Sequence, residues 1–451
     1  MSSSDEEERR PQQRPLSFIT PNGYQRNSCG YCKSDNGSVS YYASSRSMTV
    51  DEYQELVDRG WRRSGSLYYK QNLKRSCCPH YTIRLDPTAF KPRKDQRLAM
   101  NRWTKFVLGQ SYIKSAARLC PKTREEKKAR KNKFDLFQQV HEAEYANVKR
   151  PRDPKTKRPI EPAHRFEVNI ESDSFSQAKY DLFLKYQMTI HKEPASRWSV
   201  PSFKRFLCSG INRKTVREGS KEQKLGSYHQ CYRLDGKLIA VAVLDLMPHG
   251  VSSVYIFYDP EYSDYEFGKI SALREVALTI EGNYKYYYMG FYIHSCQKMR
   301  YKANFQPQYI LDPETLAWDP FNDYKPKLDR HSYVSLSRDR RIENGLETPT
   351  PPNQTNNNSS SNTPLPLTEN EEEMSLFDVH MPGVLTLQEL QEQVDLDHWK
   401  LLAHGVLVEM TDLVPWDNSD IKNPQSIKGI VAELAAVLGP KVVENSAVVL
   451  F

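Results

Sequence analysis

The chain has 451 residues, with 64 Lys and Arg against 56 Asp and Glu, a formal charge of +8. That length accommodates two domains plus unstructured sequence, and the charge suits a polyanionic partner without requiring one. No apolar run approaches membrane-spanning length, and the acidic, polar start MSSSDEEERRPQQR lacks the features of a signal peptide, so membrane-spanning and secreted classes are set aside.

Taken in chain order, residues 1–15 are expected to be disordered and 16–120 to form a small Cys-rich, metal-binding domain. Cys29-Gly30-Tyr31-Cys32 is a knuckle whose two thiolates, three positions apart on a turn, reach one ion. Cys77, Cys78 and His80 offer the remaining ligands. Adjacent cysteines point different ways, so Cys78 and His80 compete for the last place. Soft thiolates select zinc or an iron–sulfur cluster over magnesium or calcium. Four structural thiols without metal are the alternative, and in a reducing compartment disulfides lose to metal.

Between the pairs, Thr49–Gly60 reads as a capped helix and Trp61–Lys70 as aromatic, basic strand material. A helix is expected from Asp95 to about Ser115, with Leu98, Trp103, Phe106 and Val107 on its apolar side. Residues 121–165 are rich in lysine, arginine and proline. They read equally well as a solvated linker or as a helical arm lying along a phosphate backbone.

A second domain is expected over 166–345, opening with helices at Ser176–Lys192 and within Trp198–Gly210. Its centre runs from Gly226 to Phe305. Two strands meet at the turn pair Asp235-Gly236, and the second, Leu238–Leu246, is apolar almost throughout, as a strand covered on both faces would be. It carries one carboxylate, Asp245, which must be paired, protonated or facing a cavity. A strand at Ser253–Tyr258, a loop to Gly268, a helix at Lys269–Thr279 and an aromatic strand at Tyr284–Phe291 follow. That succession is expected to aim a helix N-terminus at an anion or a developing oxyanion. Next, Gln297–Lys302 presents alternating cations along one extended or turn-like segment. Residues 346–375 are expected to be disordered. The last segment, 376–451, is expected to be partly helical, with a helix at Ile427–Leu438 and a strand over Lys441–Phe451.

The sequence has no P-loop, GxSxG elbow, HExxH or Rossmann fingerprint, which removes support from phosphoryl transfer, triad hydrolysis and hydride transfer. Acyl transfer remains, or binding without catalysis.

Several motifs resemble the arginyl-tRNA–protein transferase family: Ser28–Ser34, Cys77–His80, Gly226–Gln230, Ser252–Tyr255 with Tyr258–Pro260, Ser271–Glu275, and Gly290–Cys296 with Lys298–Lys302. They occur in order over roughly residues 16–335. Members of that family often read Cys-Pro-Lys-Met at the last motif; here Gln297 takes the proline's place. The resemblance implies an α+β chain whose second half is a GNAT-like mixed α/β acyltransferase. It also implies Arg-tRNA as donor, acceptors starting with Asp, Glu or oxidised Cys, and a role in ubiquitin-dependent degradation. A monomer in the cytoplasm and nucleus is expected.

The chemistry assigns roles within that frame. An acceptor amine attacks an aminoacyl ester, so the enzyme positions both, accepts a proton and stabilises an oxyanion. Asp245 is expected to bind the donor guanidinium or take the amine proton, or else to form a structural pair with Arg274. Lys298, Arg300 and Lys302 are candidates for the acidic acceptor residue or for tRNA phosphates. Tyr228, Tyr258 and Tyr292 are candidate pocket residues. His229 and His294 are candidate proton acceptors at neutral pH, with structural histidines as the alternative. Cys231 and Cys296 lack a paired histidine pattern and are not expected to act as nucleophiles. Two rival readings stand beside the transferase, a non-catalytic zinc-knuckle RNA-binding protein and an acetyl-CoA-dependent acetyltransferase. The second is weakened because the loop Asp259–Gly268 sets one glycine among four acids, a poor cradle for pyrophosphate.

Overall fold

The structure, a computed structural model, describes residues 15–126, 128, 135–219, 221–347 and 374–450. The expectations of disorder at 1–15 and 346–375 fall largely outside the described residues, as do residues 127 and 129–134 of the basic 121–165 segment. No described helix is long and apolar enough to cross a membrane.

The described strands make two mixed sheets. One follows the order Val406–Glu409, Lys400–Ala403, Ser446–Val448, Ser17–Asn27, Ser38–Ser44, Leu67–Gln71, Arg62–Ser64. In it the C-terminal strand Ser446–Val448 runs parallel to both neighbours, Ser17–Asn27 and Lys400–Ala403. The other follows the order Trp318–Pro320, Gln308–Leu311, Tyr81–Leu85, Tyr286–Tyr292, Gly250–Tyr258, Lys237–Met247, Lys221–Leu234, Phe166–Ser172, with Lys214–Glu218 paired onto Lys221–Leu234.

Local chemistry explains the elements that position the site. Asp235 and Gly236 both take positive φ, 51° and 83°, as a tight hairpin turn requires. They join Lys221–Leu234 to Lys237–Met247, whose residues from Ile239 to Met247 are all buried. Thr49 caps the helix Val50–Asp58 by accepting from the Glu52 N–H. The helix Phe267–Glu281 lies nearly wholly buried against the second sheet.

Three expectations need correction. The single helix from Asp95 to Ser115 is two, Lys94–Leu108 and Gln110–Leu119, broken where Gly109 takes φ +74. Leu98 is 51% exposed, whereas Trp103 and Val107 are buried. Of the two alternatives for Gln297–Lys302 the turn-like one holds, since Gln297–Asn304 is a 3₁₀ helix and its alternate cations do not share one side. Within Lys441–Phe451 the chain forms a short helix, Pro440–Glu444, before the strand Ser446–Val448 begins.

Candidate functional site

Strand Gly250–Tyr258 and strand Tyr286–Tyr292 run parallel, yet they pair only from Gly250 to Ser252 with Tyr286 to Tyr288. Both then lose regular register: the first between Ser253 and Tyr255 against its other neighbour, the second between Tyr288 and Phe291. Gly290, with φ +72, sits at the second irregularity. A cavity of about 140 Å³ opens where this pairing ends, lined by Ser252, Ser253, Val254, Gly290 and Phe291 on the sheet side. The opposite wall comes from Tyr31 of the cysteine knuckle and from Tyr53, Arg62, Arg63 and Tyr69; Met299 and Lys302 close it.

Two cations, Arg62 buried and Lys302 half-buried, face this space, and among the described residues neither forms an ion pair with a carboxylate. Arg62 is 6% exposed, and its Nη1 donates to the Trp61 carbonyl at 2.8 Å. Among the described residues its Nε and Nη2 have no hydrogen-bond partner, and burial lowers its pKa. A buried, half-satisfied guanidinium is costly unless an anion completes it. The Phe291 ring lies 5.2 Å from its carbon, and the Lys302 ammonium donates to the carbonyls of Met289 and Phe291 at 2.7 and 2.9 Å. Burial, aided by Arg62, brings Lys302 down to about 8. Arg63 differs: its Nη2 and Nε reach Asp245 Oδ1 and Oδ2 at 2.6 and 2.8 Å.

Four thiols stand beside the cavity. The sulfurs of Cys29, Cys32, Cys77 and Cys78 lie within 4.8 Å of one another. Cys32 and Cys77 Sγ are 3.3 Å apart, too far for a disulfide bond of about 2.05 Å. The knuckle is fixed by the Cys29 N–H donating to the Ser34 carbonyl at 2.8 Å and the Lys33 N–H to the Cys29 carbonyl at 3.1 Å. Gly37 lets the chain close over the set, because a Cβ there would meet Cys77 Sγ at 2.5 Å. Burial and the neighbouring thiols push Cys78 up to about 11 and Cys77 higher still. At Cys32 burial is outweighed by hydrogen bonds from Ser34 and the neighbouring thiols, and its pKa falls. Four convergent thiols, compact and partly shielded, fit a thiolate-bound zinc or an iron–sulfur cluster. His80 stands outside the set. Its ring packs on Tyr31 and Phe291 at 5.1 and 4.9 Å, and neither ring nitrogen has a hydrogen-bond partner among the described residues.

The other sequence candidates are spread more widely. Asp245 is fully buried, and Arg63 and the Ser227 hydroxyl, at 2.6 Å from Oδ1, occupy both its oxygens. Its carboxylate is therefore closed to a donor guanidinium in this arrangement. Arg274, its alternative partner, instead binds Glu144 and the Val140 carbonyl. Lys298 and Arg300 are exposed, and Arg300 Nε donates to the His294 carbonyl at 2.9 Å. Of the three cations in that segment, only Lys302 lines the cavity. His229 is fully buried, accepts no charge (burial lowers it to about 4), and pairs its Nε2 with the Leu207 carbonyl at 2.9 Å. His294 joins the Tyr292 hydroxyl at 2.8 Å and Asp329 at 3.1 Å, away from the cavity lining. Tyr258 stacks on Phe267 at 5.7 Å, and Tyr228 lies half-buried beside Arg213. Cys231 is buried beside Glu171, and Cys296 packs beside the thiol cluster. The helix start at Phe267 packs on Trp103, and none of residues 266–270 lines the cavity. Arg62 stood in the sequence reading only among the basic strand residues 61–70, and Ser253 and Gly290 only within resemblance motifs, without a role.

Two family models match the chain: "Arginine-tRNA-protein transferase, N terminus" over residues 27–98 and "Arginine-tRNA-protein transferase, C terminus" over residues 178–312. Arginyl-tRNA--protein transferase 1 of Drosophila melanogaster is 30% identical, covering 72% of this chain and 86% of its own. The Arabidopsis thaliana protein of the same name is 26% identical over 71% of this chain and 76% of its own. An aspartate/glutamate leucyltransferase of Pseudomonas fluorescens is 26% identical over 64% of this chain and 91% of its own.

Proposed function

This chain belongs to the arginine-tRNA-protein transferase family, and from that premise we propose that it moves arginine from Arg-tRNA to the α-amine of proteins starting with Asp or Glu. It is an aminoacyltransferase. The observation that carries the acceptor reading is Arg62, buried and incompletely partnered, facing a small cavity beside Lys302. About 140 Å³ suits a short side chain, and two cations suit a carboxylate. With that carboxylate held, the neighbouring α-amine rests beside Ser252, Ser253 and Gly290. There its lone pair attacks the ester carbonyl, the C–N bond forms, and the bond to the ribose oxygen breaks. Positioning supplies much of the rate, since the ester is already activated. The aspartate/glutamate specificity in the name of the leucyltransferase relative agrees with this reading.

The sheet is read as GNAT-like. Support comes from the run of antiparallel strands ending in one parallel pair that parts over the site. A metal bound by the four thiols would brace the wall carrying Tyr31; zinc and an iron–sulfur cluster both suit the donor set. Oxidised-cysteine acceptors, and marking for ubiquitin-dependent degradation in the cytoplasm and nucleus, rest on family membership. The test is intact-mass measurement of peptides beginning Asp, Glu, Asn or Ala after incubation with Arg-tRNA. Addition of one arginine to the acidic pair supports the proposal, and unmodified acidic peptides contradict it.

A further inference from the structure

The second half of the basic 121–165 segment has a defined shape. Residues 149–158 close as a turn in which the Asp153 carboxylate accepts from the Lys155 and Thr156 N–H groups, both at 2.8 Å. The Asp153 N–H donates to the Arg158 carbonyl at 2.9 Å, and the Lys157 N–H returns to the Asp153 carbonyl at 2.9 Å. At its base the Tyr112 hydroxyl, on the helix Gln110–Leu119, donates to the Lys149 carbonyl at 2.5 Å. The Tyr145 ring packs against the Arg150 and Arg165 guanidiniums at 4.6 and 4.7 Å.

Charge on this turn is one-sided. Lys149, Arg150, Arg152, Lys155, Lys157 and Arg158 are all exposed, and the one acid among them, Asp153, is engaged by backbone N–H groups. Among the described residues none of the six forms an ion pair with a carboxylate. The arginines of the helix Leu336–Glu343 differ, since Arg338, Arg340 and Arg341 bind Glu347, Asp319 and Glu314. Lys114 and Arg118, exposed and four positions apart, put two more cations on one side of Gln110–Leu119. Cations held in one shape and left without counter-charges fit a polyanion that brings its own.

The turn also stands in register with the cavity. The Tyr145 N–H donates to the Phe166 carbonyl at 2.8 Å, which sets the segment beside the start of Phe166–Ser172. Nearly one row then crosses the sheet, with Phe166 opposite Leu234, Tyr232 opposite Ala240, and Ala240 opposite Tyr258. This is the end of the sheet toward which Gly250–Tyr258 and Tyr286–Tyr292 part. Three strand spacings across and five residues along separate Phe166 from Ser253, roughly 20 Å.

We infer that residues 149–158, with Lys114 and Arg118, hold the phosphates of the donor RNA's helical stem while its unpaired 3′ end carries the ester to the cavity. The inference rests on the transferase reading above. Such contacts read backbone charge rather than bases, so they supply affinity and orientation without choosing among RNAs.

The test compares the parent with a variant carrying Arg152→Gln, Lys155→Gln, Lys157→Gln and Arg158→Gln, by binding of uncharged tRNA at several salt concentrations. Each neutralised phosphate releases about 0.7–0.9 counterions, so four lost contacts should lower the salt slope by about 3. From about 50 to 200 mM salt the variant's affinity should then fall roughly 60-fold less than the parent's. Lys114→Gln with Arg118→Gln, on the helix, should lower the slope by about half as much. At sub-saturating donor, transfer from Arg-tRNA should drop with the affinity, whereas transfer from an arginylated CCA trinucleotide, which has no stem, should be equal in parent and variant. An unchanged salt slope in both variants, or equal losses on the trinucleotide and on Arg-tRNA, overturns the assignment. Loss of binding to phosphatidylserine vesicles with tRNA binding intact overturns it too, in favour of a membrane surface. If the parent transfers no arginine from either donor, the transferase reading fails, and the salt slope for tRNA still decides this surface.

Discussion

Arg63 grips Asp245 through contacts of 2.6 and 2.8 Å, and the pair joins two segments 182 positions apart beneath the cavity. Both side chains are almost wholly buried, at 2% and 0% exposure. Asp245 therefore reaches function through position: it holds Arg63, and with it the strand that carries Arg62.

Removing one member of this pair strands the other. Asp245→Asn should destabilise the protein by about 3–5 kcal/mol in urea unfolding, as broken buried ion pairs do. Replacing both residues together with apolar ones should cost less than replacing Asp245 alone. Equal stability of the Asn variant and the parent would remove the pair's structural role.

Lys302 makes a pH prediction with opposite signs for binding and stability. Its ammonium, brought down to about 8 by burial and Arg62, is charged below that pH and neutral above it. On the proposed reading, kcat/KM for acidic peptides falls as pH rises through about 8, and Lys302→Met loses that limb. For the unliganded protein the folded pKa lies below the usual 10.5, so between the two values the unfolded chain holds the extra proton. This group's contribution to stability accordingly rises with pH across that window. Paired activity and denaturation series would check both slopes.

Metal content distinguishes the thiols from the histidine. Cys29→Ser or Cys77→Ser should reduce bound metal to near zero by elemental analysis, while His80→Ala should leave it unchanged. Thiols must lose protons to bind, so affinity should fall on acidification. Metal lost equally from the His80 variant would place that ring in the ligand set.

The C-terminal helix and strand belong to the first sheet's core. Residues Val431 to Leu438 are almost fully buried except where Glu433 is 6% exposed, and the Trp61 indole donates to the Val437 carbonyl at 3.2 Å. Each large apolar side chain there contributes about 1.5–3 kcal/mol. Their sum matches a domain's whole stability of about 5–15 kcal/mol. Truncation before Ile427 should yield no folded protein by circular dichroism, and a folded truncated chain would contradict that placement.

Legibility in the sequence followed the range of the interaction. The hairpin at Asp235-Gly236, the Thr49 cap and the strand buried on both faces are local patterns, and the structure places them where residue type alone predicts. The thiol set was legible because its ligand types are rare and closely spaced. Arg62 was not, because a guanidinium becomes a site only when remote strands deny it a partner. The same limit hid the parallel pairing of Ser17–Asn27 with Ser446–Val448.

The most direct measurement of the acceptor site compares kcat/KM for two peptides differing only in a first residue of Asp or Asn, with parent and Arg62→Met enzymes. A hydrogen bond to a charged group is worth about 1.5–3 kcal/mol, so the parent should favour Asp by about 10- to 150-fold. Arg62→Met should bring that ratio toward one while changing the Asn rate little. A variant that slows both peptides equally, with the preference for Asp intact, would contradict the cavity's role in reading the acceptor.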